Sequence, residues 1–159
     1  PTYNAWTPQS NLVWDETDPF PGSLTPWQRS EVNSAGQIYH LMLNAFGRDS
    51  YNGGGATMIT THNNPSIQCP NANWNGVSAN YCDNIASDDV VAHEWGHAYT
   101  EYTSGLIYQW QAGALNEAYS DIWGETVDLI NNYFDANAQP QEIQMVQIIL
   151  HFQSQPDGE

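Results

Sequence analysis

The sequence predicts an α+β fold, with an extended, β-forming N-terminal portion followed by helices. Two observations carry this expectation. Residues 1–25 are rich in Pro, Asn, Thr and Trp without helical periodicity, whereas three later segments combine apolar residues at helical spacing with recognisable end signals. Between the first two of those segments, a run containing Met58, Ile59 and several threonines fits a pleated surface better than a helix.

Taken in order, residues 1–25 read as extended chain and turns with one short strand at Leu12–Trp14. A helix is expected over Pro26–Phe46. Thr25 can cap it, Pro26 suits the first helical position, and Gly47 follows the last apolar residue. Val32, Ile38, Leu41 and Leu43 supply its buried face, and His40 is expected to pack among Tyr39, Leu41 and Met42. Tyr51–Gly55 is a turn and Ala56–Thr61 a strand, closed by His62 in a structural role. The stretch 62–84, with Asn-Asn-Pro, Asn-Gly and both cysteines, reads as loop. Two more helices are expected over Asp88–Thr103 and Gly113–Asn132, joined by a turn at Gly105. A last helix is expected over Gln141–Phe152, carrying His151 as a structural residue, with a frayed tail after it.

Composition narrows the function. The 159 residues carry 18 Asp+Glu against two cationic side chains, Arg29 and Arg48, for a formal net charge of −16. Phosphate binding needs clustered Lys and Arg, so nucleic acid is excluded as a partner. An anionic membrane surface is excluded likewise, and no apolar run approaches the ~18 residues that span a bilayer. With 40% hydrophobic and 13% aromatic residues, one packed domain is expected across residues 1–159. The chain begins at Pro1 without a leader, as expected of a processed product or an excised piece. Cys69 and Cys82 could be buried thiols, a metal pair or a disulfide. Their spacing matches no compact zinc knuckle, which favours a disulfide and an oxidising compartment.

The chemistry lies in two clusters. His93-Glu94-Trp95-Gly96-His97 is an H-E-x-x-H pattern in a helical segment, and residues four apart share a helix face. Both imidazoles can meet one ion with Glu94 beside it, the arrangement of two ligands and a general base. Twenty residues after His97 comes Glu117, in the segment Asn116-Glu117-Ala118-Tyr119-Ser120-Asp121. An antiparallel helix pair would bring Glu117 to the histidines, with Asp121 one turn on to accept an imidazole N–H. Gly96 would suit a close approach by another backbone.

The segment Asp89-Val-Val-Ala-His-Glu-Trp-Gly-His-Ala-Tyr-Thr-Glu-Tyr-Thr-Ser-Gly-Leu-Ile-Tyr108, followed by Gly113-Ala-Leu-Asn-Glu-Ala-Tyr-Ser-Asp121, resembles the thermolysin family of zinc endopeptidases, the gluzincins. Upstream, Asn71-Ala-Asn-Trp-Asn-Gly76 resembles that family's substrate edge, and the likeness covers about residues 30–131. The resemblance implies a thermolysin-like catalytic lobe: an extended segment 1–25, a core 26–131 with the active-site helix and the Glu-bearing helix, and an unassigned end at 132–159. It implies one zinc per chain on His93, His97 and Glu117, Glu94 as the base that deprotonates water, Tyr108 as an oxyanion donor, and Asp121 orienting His93. Asn71 and the backbone of Ala72 would hold a peptide in extended form. Asp89 and Asp128 match calcium-binding positions, calcium being a second expected ion; the alternative is a helix cap and a solvated face. Substrates would be proteins or peptides, cut before bulky apolar residues, and the protein would be secreted.

In that family a helical lobe follows the Glu-bearing helix and supplies a histidine and an arginine to the cleft. No Arg follows Arg48, and the surroundings of His151 do not resemble the family histidine segment. The lobe is therefore expected to be absent, supplied by a second chain or a removed part, or not needed. The alternative reading is a zinc-binding lobe of weak or no activity without that partner. Two rivals from other classes are a carbohydrate-stacking surface built on Trp6, Trp14, Trp27, Trp74 and Trp110, and a zinc-dependent structural half of a complex.

Overall fold

A computed structural model of the chain describes residues 3–6 and 12–131. The expected helix at Gln141–Phe152, with His151, lies outside the described residues. The α+β expectation holds: the described residues form five short strands and three helices in the order β1 (Tyr3–Trp6), β2 (Leu12–Asp15), α1 (Pro26–Phe46), β3 (Met58–His62), β4 (Ala72–Trp74), β5 (Ala79–Tyr81), α2 (Asp88–Glu101) and α3 (Trp110–Ile130).

The first helix has the bounds its end signals dictate. The Thr25 side chain accepts from the Gln28 backbone N–H while the Gln28 side chain accepts from the Thr25 N–H, a reciprocal capping box with Pro26 at the first position. At the other end Gly47 adopts a left-handed conformation (φ 62°) and returns its N–H to Leu43 O. Its buried face is Val32, Ala35, Ile38, Leu41 and Met42. Leu43 is only half-buried, and Met42 takes an inward position in its place; His40 is exposed but packs edge-on against Tyr39, ring centroids 5.1 Å apart.

The sheet runs β2-β1-β3-β5-β4. Its centre, β1-β3-β5, is parallel, and β2 and β4 are antiparallel edges. Strands β1, β4 and β5 fall where the sequence suggested turn and loop. They are three or four residues long and rich in Asn, so no alternation betrays them. The disulfide Cys69–Cys82, Cα atoms 5.8 Å apart, joins the approach to β4 to the residue after β5. Cys82 N–H also donates to Asn71 O at 3.1 Å, so the loop is closed twice at its base.

The core sits between this sheet, α1 and α2. It joins Ile38 and Met42 to Met58, Ala79 and Tyr81, then to Val91, Ala92, Trp95, Ala98 and Tyr99 of α2 and Val127 of α3. Helix α2 is central, which explains its weak amphipathicity: it is packed on several sides. Helices α2 and α3 run antiparallel and approach closely. A Cβ on Gly96 would stand 2.8 Å from Ser120 Cα, and one on Gly124 would stand 2.7 Å from Asp89 O. The expected close approach at Gly96 is therefore real, and it lets the two helices present side chains to one point.

A polar cluster anchors the end of β3. His62 Nδ1 lies 2.5 Å from Glu31 Oε1 and Nε2 lies 2.9 Å from Asp83 Oδ1, so each ring nitrogen faces a carboxyl oxygen, an arrangement that favours the protonated ring. The Glu31 hydrogen bond raises the His62 pKa above its usual value. Burial raises that of Glu31, which is fully enclosed. The structural role expected for His62 thus has a physical form. Because its folded pKa is raised, the stability it contributes is fully present below pH ~6.5 and is lost as pH climbs through the raised value. The denaturant midpoint should fall between pH 6 and pH 9, and a His62→Gln variant should show a shallower dependence over the same range.

Candidate metal centre

Helix α2 carries His93 and His97 one turn apart, both partly exposed toward the same side. Their Nε2 atoms are 3.0 Å apart. Across from them α3 brings Glu117, with Oε2 3.3 Å from His93 Nε2 and Oε1 3.6 Å from His97 Nε2. Among the described residues, this trio is the group of three or more ligand-type side chains whose atoms converge, all within 4.8 Å.

The outer bonds decide what the convergence means. His93 Nδ1 lies 2.8 Å from Asp121 Oδ1, and His97 Nδ1 lies 2.6 Å from Asn116 Oδ1. Asn116 must offer its oxygen there, because its Nδ2 donates to Leu106 O at 3.0 Å. Both Nδ1 atoms therefore carry protons, and in neutral rings both Nε2 atoms present lone pairs. Two lone pairs 3.0 Å apart, facing a carboxylate, repel one another unless a cation lies between them. Atoms spaced 3.0–3.6 Å also suit ligands each ~2.0–2.1 Å from one ion. The donor set, two imidazoles and a carboxylate, fits zinc.

Glu94 lies beside this group and is buried, 8% exposed. Burial raises its pKa to about 7, against the lowering effects of His97 and of the Trp74 backbone N–H. Tyr108 is largely exposed, and its hydroxyl donates to Glu117 Oε1. Asn71, Ala72 and Trp74 form the opposite wall of a cleft of about 700 Å³ floored by His93, Glu94, His97, Asn116 and Glu117. Strand β4 is bonded to β5 on one side only, so its other edge is open to the cleft.

The structure thus brings together His93, Glu94, His97, Tyr108, Glu117, Asp121, Asn71 and Ala72. Asp128 and Asp88 line with Asp89 a separate recess of about 590 Å³, and Asp89 also borders a second recess shared with His93, Glu94 and Asp121. Asp89 lies in the first turn of α2, whose N-cap is Ser87 rather than Asp89. Asn116 carried no expected role. The signal was its place directly before Glu117, but its bond to His97 depends on the path of the 104–109 connection and could not be read from spacing. Four of the tryptophans proposed for a glycan surface are dispersed: Trp14 is buried within β2, Trp27 packs against the core, Trp74 walls the cleft and Trp110 protrudes at the start of α3.

The fold and this centre define an α+β protein with a candidate metal site of two imidazoles and one carboxylate. Comparison with known proteins supplies the family. The family model described as the thermolysin metallopeptidase catalytic domain matches residues 3–101, and that of the thermolysin metallopeptidase alpha-helical domain matches 104–147. The chain belongs to the thermolysin metallopeptidase family. It is 43% identical to neutral protease B of Bacillus subtilis over 103 residues, 60% of this chain and 19% of that protein. It is 34% identical to the extracellular elastase of Staphylococcus epidermidis over 141 residues, 79% of this chain and 27% of that one. The precursor of protealysin from Serratia proteamaculans superposes with a TM-score of 0.72 at 26% identity, over 81% of this chain and 44% of that chain. The chain therefore spans about a fifth of the length of neutral protease B. The two family matches meet between α2 and α3, ahead of the Glu-bearing helix, so the expectation that the helical lobe is absent is corrected: residues 104–147, α3 included, match part of it. His93 and His97 fall in the first match and Glu117 in the second. Residues 132–147, left unassigned from sequence, also fall in the second.

Proposed function

We propose that this chain is the hydrolytic part of a secreted zinc metalloendopeptidase that uses Glu94 as general base. The observation that carries the reading is the pair of His Nε2 lone pairs 3.0 Å apart, facing Glu117. His93, His97 and Glu117 would hold the zinc, one per chain. Bound there, zinc would supply Lewis-acid polarisation of a peptide carbonyl and acidify an attacking water.

The chain's own residues do the rest. Glu94 Oε accepts the proton of the water and returns it to the departing amine nitrogen, a task suited to a carboxyl whose burial holds its pKa at about 7. The Tyr108 hydroxyl sits at the cleft mouth, where it can turn from Glu117 to donate to a developing oxyanion. The open edge of β4, from Asn71 and Ala72, binds an extended peptide by main-chain hydrogen bonds. Asp121 fixes the His93 tautomer, and Asp121→Ala should weaken zinc binding by ~10–100-fold in competition with a chelating dye. The recess lined by Asp88, Asp89 and Asp128 supplies the hard oxygens a calcium ion would use. The disulfide and the extracellular elastase relative support secretion.

One observation favours the second reading, a lobe that needs more protein to work. Leu115, Tyr119 and Ile122 form an exposed apolar row along α3, as on a surface another segment or chain covers. Hydrolysis of a mixed quenched-peptide library separates the readings. Cleavage abolished by a zinc chelator and restored by zinc supports a working enzyme. A protein holding one zinc per chain that cuts nothing supports the dependent lobe.

A further inference from the structure

We propose that Glu101, with Trp74, forms a subsite of the peptide cleft that selects a cationic side chain, preferentially arginine, about two residues from the cut bond. The inference rests on the peptidase reading above and adds a substrate class to it. His93, His97 and Glu101 succeed one another at four-residue intervals, so Glu101 continues the face of α2 that carries the imidazoles. Four residues of helix rise ~6 Å, close to two residues of extended peptide at ~3.3 Å each. Glu101 and Trp74 both line the cleft that contains His93, Glu94, His97 and Glu117.

The carboxylate is fixed rather than waving. Its Oε2 accepts from Trp74 Nε1 at 2.7 Å, across from edge strand β4 to α2. Trp74 is itself held by ring contacts to Tyr51 at 5.2 Å and Trp95 at 5.4 Å. A half-buried indole beside an exposed carboxylate offers a guanidinium a flat surface and an anionic partner together.

Among the described residues, no cationic side chain forms an ion pair with Glu101. Arg29 and Arg48 are the chain's two Lys or Arg residues. Arg29 donates to Leu24 O, and Arg48 donates to Tyr51 O and Tyr102 O without pairing to Glu101. The chain as a whole carries a formal net charge of −16. The complement such a surface lacks is a cation from the substrate.

The test walks one residue, arginine or its neutral isostere citrulline, across four positions on each side of the cut in an otherwise uncharged peptide. On the zinc-loaded protein kcat/KM should favour arginine by about 5- to 30-fold at one position, two residues from the cut on the side over the C-terminal end of α2. The ratio should fall with added salt and collapse to about 1 in Glu101→Gln, which keeps an oxygen for the Trp74 N–H. The same pair of peptides should show the same Kd ratio on Glu94→Gln, where no turnover is needed, and lose it in Glu94→Gln/Glu101→Gln. A Kd ratio without turnover in the wild type keeps the subsite and removes the peptidase reading. No arginine preference in Kd, or one that survives Glu101→Gln, overturns the subsite even if neutral peptides are cut.

Discussion

Glu94→Gln should reduce kcat by ~10²–10⁴-fold while leaving one zinc per chain. The side chain is not among the three that converge, so its loss should not empty the site. The amide keeps the shape but cannot take a proton. A second consequence has the opposite sign. The folded pKa of Glu94 is about 7, raised from 4.5 by burial. Below ~4.5 the carboxyl is neutral in both states; as pH rises through 7 the folded protein must bury a charge, and stability is lost. In metal-free protein, Glu94→Gln should therefore be more resistant to urea than the parent above pH 7 and indistinguishable from it below pH 4.5. Retention of more than a tenth of the activity would remove Glu94 from the proton path.

Trp95→Ala should cost ~3–5 kcal/mol, a large share of the ~5–15 kcal/mol that holds a domain together. Trp95 sits inside the motif but points away from the metal centre. It is fully buried, with its ring 5.8 Å from Tyr51 and 5.4 Å from Trp74. It therefore joins the active-site helix to the edge strand and to the 51–55 turn in one contact. The cavity left behind should loosen the β4 edge as well as lower the melting temperature, so KM should rise along with the loss of stability. A shift in Tm below about 4 °C would mean that the neighbours collapse into the space and that the cluster is less rigid than its geometry implies.

How much of this was legible from residues alone differs by element. Helix α1 was read to the residue because Thr25, Pro26 and Gly47 are local signals that act on their own neighbours. The centre was legible because four-residue spacing on a helix places His93 and His97 together, an antiparallel helix pair brings Glu117 to them, and the resemblance gave all three the role of zinc ligands. Strands β4 and β5 were not, because Ala72–Trp74 and Ala79–Tyr81 owe their conformation to β3 and to the disulfide rather than to their own composition. Three features of the site depend on tertiary distance and left no mark in the sequence: the burial of Glu94, the bond from His97 to Asn116, and the bond from Trp74 to Glu101. Gly96 lies between these cases. Its helix-breaking cost of ~1 kcal/mol hinted at a close neighbour, and only the fold named that neighbour as Ser120.

The central claim is that two imidazoles and one carboxylate on antiparallel helices hold a single zinc. X-ray absorption at the zinc edge, on the full protein loaded and then dialysed, tests it most directly. The account predicts one zinc per chain with two imidazole nitrogens at ~2.0–2.1 Å and oxygen donors at ~2.0–2.2 Å, and a nitrogen count that falls by one in His97→Ala. A protein that retains no zinc, or a zinc shell without imidazole, would contradict it.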